Sequence, residues 1–295
     1  MSMRIIQGTV VIVGKNPDGD SIRFQPDDPS LFDDLYRRHL MKFTRQDGSI
    51  QLRLEGIDTP ETHYGSNSQP YGAIARDALL ELLGYRLGDI QFANSGVVTD
   101  DGDQEVRVTI ATSGADANGR PISLLYKQND APAASGTDLI VTPAHTDASM
   151  NLAMLRAGHA YPGLYTSMSL PLRKHFRAAA KAARAAARGL WPTDSTEEFP
   201  LRSHADIEPP SGALIMPKLF RRSVDFIKAV MGGFDGNLSD WLEARSGGSR
   251  PENDLVLLND GTPNALEVPF SSLIGQRNSR VVFSADVCDI AFVEK

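Results

Sequence analysis

The segment Gln51–Thr62 reads Gln-Leu-Arg-Leu-Glu-Gly-Ile-Asp-Thr-Pro-Glu-Thr, and it constrains the fold more than any other stretch of the chain. Leu52 and Leu54 alternate with Arg53 and Glu55, so residues 51–57 read as a strand with one apolar and one polar face. Gly56 marks an irregularity inside that strand. Pro60 fixes its own φ and biases Thr59 towards an extended backbone, which ends the strand in a turn. Asp58 and Glu61 therefore sit just past a strand end, on a rigid base. Upstream, Asp18-Gly19-Asp20 is a hairpin signal between Thr9–Val13 and Ser21–Phe24.

These residues suit one chemistry. A phosphodiester is anionic and repels nucleophiles, and attack loads further charge onto its oxygens. A divalent ion neutralises part of that charge, and a hard ion such as calcium takes oxygen ligands from carboxylates and carbonyls. Arg53, and Arg120 of the isolated Asn118-Gly119-Arg120, each offer a planar fork of donors matched to phosphate oxygens. Glu61 is a spare carboxylate placed to orient or deprotonate a water. The bland alternative is that Asp20, Asp58 and Glu61 are solvent-exposed turn acids.

The motifs Asp18-Gly-Asp-Ser21, Arg53-Leu-Glu-Gly-Ile-Asp-Thr-Pro-Glu-Thr62, Gln69-Pro-Tyr-Gly72, Asn118-Gly-Arg120, Asn151-Leu-Ala-Met-Leu-Arg-Ala-Gly-His-Ala160 and Arg188-Gly-Leu-Trp191 occur in that order. Together they resemble the staphylococcal nuclease (thermonuclease) family over about residues 5–193, and the succession is more specific than any single motif. The resemblance implies a five-stranded OB-type barrel with about three helices, in an α+β chain. It also implies calcium-dependent hydrolysis of DNA and RNA at the 5′-oxygen, leaving 3′-phosphates. On that reading Asp20 and Asp58 ligate calcium through carboxylates and Thr59 through its backbone carbonyl. Glu61 is the base or water-orienting residue, and Arg53 and Arg120 clamp the scissile phosphate. Two departures stand out. Ala117-Asn118-Gly119-Arg120 lies where the family often carries Lys-Tyr-Gly-Arg, and Tyr161 and Tyr165 are only out-of-register counterparts of its base-stacking tyrosines. A second class of function is a barrel that binds nucleic acid or protein with weak or no catalysis; retention of the acids and arginines favours the enzyme.

A net charge of −7 argues against tight non-specific binding of a polyanion, but single-stranded or flexible DNA and RNA remain the expected partners if basic residues are clustered. The lone Cys288 excludes an intramolecular disulfide. No segment is long and apolar enough to span a membrane. The first residues lead straight into a strand without a signal-peptide pattern, which points to the cytoplasm, or else to a secreted protein with its signal removed.

Three insertions are expected in the barrel: a helix-like interruption within 26–48, a hairpin extension at 96–108 turning at Asp100–Asp103, and a mobile loop at 129–147. Asp100, Asp101 and Asp103 read as an acidic turn or a second cation site, and His63 as a surface histidine or a proton donor. Helices are expected at Tyr71–Leu83, Ala148–Arg156 and Leu170–Arg188. On the last of these, Arg177, Lys181, Arg184 and Arg188 share a basic face, either solvated or tracking a nucleic-acid backbone, and Trp191 anchors its end. Residues 194–211 read as a linker. Residues 212–295 then read as a small α+β domain, a helix within Ala213–Val230 followed by short strands, with the potential to recruit a protein partner, cover the site or mediate oligomer contact.

Overall fold

The computed structural model describes residues 2–247 and 251–294. The chain opens with β1 (Ser2–Val11) and β2 (Arg23–Pro26), followed by β3 (Ile50–Gln51), β4 (Arg53–Leu54) and β5 (Gly56–Asp58). After α1 (Gly72–Leu83) come the hairpin strands β6 (Gln91–Phe92) and β7 (Val98–Asp100), then β8 (Arg107–Ala115), β9 (Pro121–Lys127) and β10 (Asp138–Ile140). A short α2 (Pro143–Thr146) precedes α3 (Met150–Ala157), β11 (Tyr161–Gly163) and α4 (Leu170–Ala185).

The main sheet runs β3-β2-β1-β8-β9-β4, with β10 added to β1. Its two ends belong to one chain segment. At Ile50–Gln51 that segment pairs antiparallel with β2, and at Arg53–Leu54 it pairs parallel with β9. The sheet thus curls into a nearly closed barrel of five strands, with β3 and β4 counted as one and β10 as an addition. Gly56 ends the shared strand: its φ of +77° lies in the left-handed region, and a Cβ there would come within 2.7 Å of the Phe176 ring. Asn151 of α3 then ties helix to barrel. Its amide donates to the carbonyls of Glu55 (2.9 Å) and Ser123 (3.0 Å) and accepts from the Leu125 N–H (2.9 Å), all in the buried core.

The insertions differ from their sequence reading. Residues 26–48 hold two 3-10 turns, Pro29–Phe32 and Arg38–Leu40, and no longer helix, because Arg37 takes a left-handed φ of +59° between them. The β6–β7 hairpin turns at 93–97, earlier than expected, where Gly96 supplies φ of +80° and the Ala93 N–H bonds the Val97 carbonyl. Asp100 instead caps a following turn, accepting from the Gly102 N–H at 2.9 Å. The segment expected as a mobile loop contributes β10, which pairs Ser2 with Ile140 and Arg4 with Asp138.

The remaining elements are β12 (Glu198–Pro200), α5 (Pro217–Met231), α6 (Leu238–Glu243), β13 (Leu255–Leu258), β14 (Leu266–Pro269), β15 (Ile274–Arg277), β16 (Arg280–Phe283) and β17 (Ala291–Phe292). They form two small sheets, β12-β16-β15 and β14-β13-β17. Residues 194–211 are not a free linker. β12 pairs with β16, and Phe199, Leu201 and Ile207 are buried. Their polar composition reflects turns, while these apolar side chains do the packing.

The basic face of α4 is likewise not left free, because partners within the chain take up its charges. Arg177 donates to the Cys288 carbonyl at 2.9 Å and reaches Asp260, Lys181 pairs with Asp289 at 2.6 Å, and Arg184 pairs with Asp286 at 2.6 Å. Arg188 donates instead to the Arg156 carbonyl. Arg173 adds a buried bidentate pair with Asp260, both bonds 2.8 Å. The exposed members of this set contribute at most about 1 kcal/mol each, but together they define where the C-terminal residues dock. Trp191 is buried at the helix end, under the Arg184 guanidinium. No helix among the described residues is long and apolar enough to cross a membrane.

Candidate active site

The closure of the barrel positions the candidate residues. The Leu54 N–H bonds the Asp20 carbonyl at 2.8 Å, which sets Asp20 beside the end of β4. At the end of β5, Asp58 pairs in register with Tyr161 of β11. The Thr59 N–H donates to Asp20 Oδ2 at 3.3 Å, joining the hairpin loop to the turn that follows β5. Asp18 makes the same junction from the other side, accepting from the Gly19 N–H (2.8 Å) and the Thr62 N–H (3.4 Å). Glu61 is held by its backbone: its N–H donates to Gln69 Oε1 at 3.1 Å, and its carbonyl accepts from the Gln69 N–H at 2.9 Å. Gly72 lies so close that a Cβ would fall 2.4 Å from the Glu61 carbonyl, so α1 has to start with glycine there.

Arg53 points from β4 between the two aspartates, 3.9 Å from Asp20 Oδ2 and 3.7 Å from Asp58 Oδ1. Arg120 follows the β8–β9 turn and is steadied by Asp116, which accepts from its Nε at 2.8 Å and from its backbone N–H at 2.9 Å. Gly119, at φ of +82°, lets that turn approach the Leu40 carbonyl, which a Cβ would meet at 2.1 Å. Asp20, Arg53, Glu61 and Arg120 all line one open cleft of about 540 Å³, shared with Asp18, His63 and Tyr165. Asp58 and Thr59 are buried beside it, held against Arg53 and Asp20.

The cleft's far wall is C-terminal. Arg221 of α5 reaches across to Asp58, donating to Oδ2 at 3.0 Å and to Oδ1 at 3.2 Å, and it also donates to Glu61 Oε1. Lys218, one turn earlier, donates to the Tyr165 hydroxyl at 3.1 Å and pairs with Asp254 at 3.1 Å.

Burial and charge act against each other here. Burial, reinforced by Asp20 and Glu61, holds the Asp18 carboxyl well above the usual carboxylate range. Burial also raises Asp20 against the pull of Arg53, and raises Glu61 against the pull of Arg221. Asp58 goes the other way: burial is outweighed by Arg221 and Arg53, and its carboxyl lies below the ordinary value. For Tyr165, burial is outweighed by Lys218 and Arg53, so its hydroxyl is lowered.

Of the residues expected from sequence, the structure brings Arg53, Asp20, Asp58, Thr59, Glu61 and Arg120 together, with Tyr165 on the wall. Tyr161 is corrected. It is 2% exposed, donates to Asp194 Oδ1 at 2.8 Å and packs edge-on against Trp191, so it has no face left for a nucleobase. Asp18, Lys218 and Arg221 escaped the sequence reading. Asp18 belongs to the same turn motif as Asp20, whereas nothing local in the α5 sequence says where Arg221 points.

An oxygen donor set of this kind suits a hard cation. Asp20 and Asp58 supply carboxylates, Thr59 a carbonyl, and the Thr59 hydroxyl is buried without a partner. Among the described residues no group of three or more His, Cys, Asp or Glu forms a ready-made cage, so carbonyls and water would have to complete the shell.

A nearly closed barrel that presents acids and arginines at one mouth fits a nuclease-related or nucleic-acid-binding protein. The comparison with family models agrees: residues 51–193 match the staphylococcal nuclease homologue family, and the chain carries a staphylococcal nuclease-like domain. The matched span includes Arg53, Asp58, Thr59, Glu61 and Arg120, while Asp20 joins them through the fold. No curated protein matches the chain.

Proposed function

We propose that the protein is a calcium-dependent nuclease that hydrolyses DNA and RNA at the 5′-oxygen and leaves 3′-phosphates. The observation that carries this reading is the convergence of Glu61, Arg53 and Arg120 on one cleft beside Asp20 and Asp58. Asp20, Asp58 and the Thr59 carbonyl would hold calcium, which supplies positive charge against the phosphate oxygens when bound. Arg53, half-buried between the aspartates, presents its guanidinium to the cleft, and Arg120 lines the same cleft from the β8–β9 turn. Both donate to a phosphate as planar forks, and both stabilise charge that grows on its oxygens during attack. Glu61 takes the proton of the attacking water, and burial raises its carboxyl above the ordinary value, which strengthens it as a base. The cleft is open rather than tunnel-like, which fits single-stranded or locally flexible polymer.

Cleavage of single-stranded DNA and RNA by the purified protein, with calcium or with a chelator, and with product ends identified, tests the reading. Calcium-dependent products ending in 3′-phosphate are expected. Glu61→Ala should lower the rate by roughly 10²–10⁴-fold with the fold intact, the usual contribution of a positioned base. Turnover within a few-fold of wild type would remove Glu61 from that role. Bound but uncut polymer would instead favour a binding module, a reading that the existing pairing of Asp58 and Glu61 with Arg221 makes concrete.

A further inference from the structure

Arg221 is placed by a helix that is itself pinned. On its flanks, Tyr64 donates to Asp225 at 2.6 Å, Arg222 donates to Asp254 at 3.1 Å and Lys218 pairs with the same carboxylate. Just upstream, Gln69 Nε2 donates to the Ile215 carbonyl at 2.7 Å, so the loop that holds Glu61 also holds the start of α5. The guanidinium therefore reaches the cleft from a fixed base, and it spans both oxygens of Asp58 as well as Glu61. Those are the carboxylates that the nuclease reading assigns to the cation and to the water.

Charge gives the contact its meaning. Four carboxylates gather here, Asp18, Asp20, Asp58 and Glu61, with the guanidiniums of Arg53 and Arg221 against them and that of Arg120 across the cleft. A hard cation binding Asp58 needs carboxylate oxygens at about 2.3–2.6 Å, and both are already engaged by Arg221. A cation there has to share those oxygens with the guanidinium, and the like-charge repulsion and weakened hydrogen bonds subtract from its affinity.

We propose that Arg221 is a tethered counter-ion that competes with calcium for Asp58 and thereby sets the calcium affinity of the site. The inference rests on the nuclease reading above and deepens it: the residues beyond the barrel supply a positioning residue that decides how much calcium the enzyme requires. The same displacement frees Glu61 for its water, so occupancy and base availability rise together.

Calorimetric titration of calcium into the full-length protein, without substrate, tests this directly. Arg221→Gln removes the competing charge and should bind calcium about tenfold more tightly or better, the ratio carried by one charge-assisted hydrogen bond. Arg221→Lys keeps a charge but cannot span both oxygens, and should fall between. Thermal melts give a second readout, since Arg221→Gln should gain more from added calcium than wild type does. Unchanged or weaker affinity in a folded Arg221→Gln protein overturns the inference and leaves the nuclease reading standing. If that variant fails to fold, wild-type affinity in Arg221→Lys overturns it instead. Absence of calcium binding in wild type and variants alike overturns the cation site itself, and this inference with it.

Discussion

Glu55 gives the sharpest test of the electrostatics at the barrel mouth. It lies between β4 and β5, 5% exposed, and its backbone is fully committed to Ser123 and Asn151. Burial pushes its carboxyl up from an ordinary value of 4.5 to about 7, with Arg53 opposing and Glu294 adding to the rise. The folded protein thus holds a proton that the unfolded chain has already released. Stability from this group is fully present below about pH 4.5 and is lost as the pH climbs to about 7. A shift from 4.5 to about 7 at 1.36 kcal/mol per unit amounts to about 3 kcal/mol. Glu55→Gln replaces the acid with a neutral side chain of the same shape. At pH 4 its stability should match wild type, and at pH 8 it should exceed wild type by about 3 kcal/mol. Urea unfolding of both proteins across that range measures the difference, in which the titrations of Asp18, Asp20 and Glu61 largely cancel. A difference that stays flat with pH, or that favours wild type at pH 8, would refute the argument.

Asn151→Ala should cost about 3 kcal/mol or more by chemical denaturation, because it strands a buried N–H and two buried carbonyls that no water can reach; a loss under about 1 kcal/mol would show that the barrel relaxes around the gap. Cys288 is buried and burial pushes its thiol up to about 12, so labelling by a thiol reagent at pH 8 should be slow in the native protein and fast in denaturant. Rapid labelling under native conditions would contradict its placement between α4 and the C-terminal sheets.

Much of the barrel was legible because its signals are local. Alternation across Gln51–Leu54, a glycine where the strand breaks, a proline before Glu61 and the apolar spacing of α1, α3 and α4 are all set by sterics and burial within a few residues. The misreadings were also local conflicts: Arg37 in a left-handed conformation interrupts what the 31–40 pattern offers as a helix, and Gly96 takes the hairpin turn that the aspartates at 100–103 advertise. The motif residues Asp20, Arg53, Asp58, Glu61 and Arg120 could be assigned to one site because their types and order carry the chemistry.

Sequence by itself therefore determined the barrel strand at 51–58, the three main helices of the barrel domain and the acids and arginines first proposed for the site. Only the tertiary structure decided which charge meets which. The basic face of α4 has the same sequence pattern whether it meets solvent, nucleic acid or Asp260, Asp286 and Asp289. Arg221 lies 160 residues from the glutamate it binds. Periodicity reports which face of an element is buried, but a charged side chain carries no address. Its partner is chosen by how the elements pack, and here that packing puts a C-terminal arginine on the acids of the candidate site.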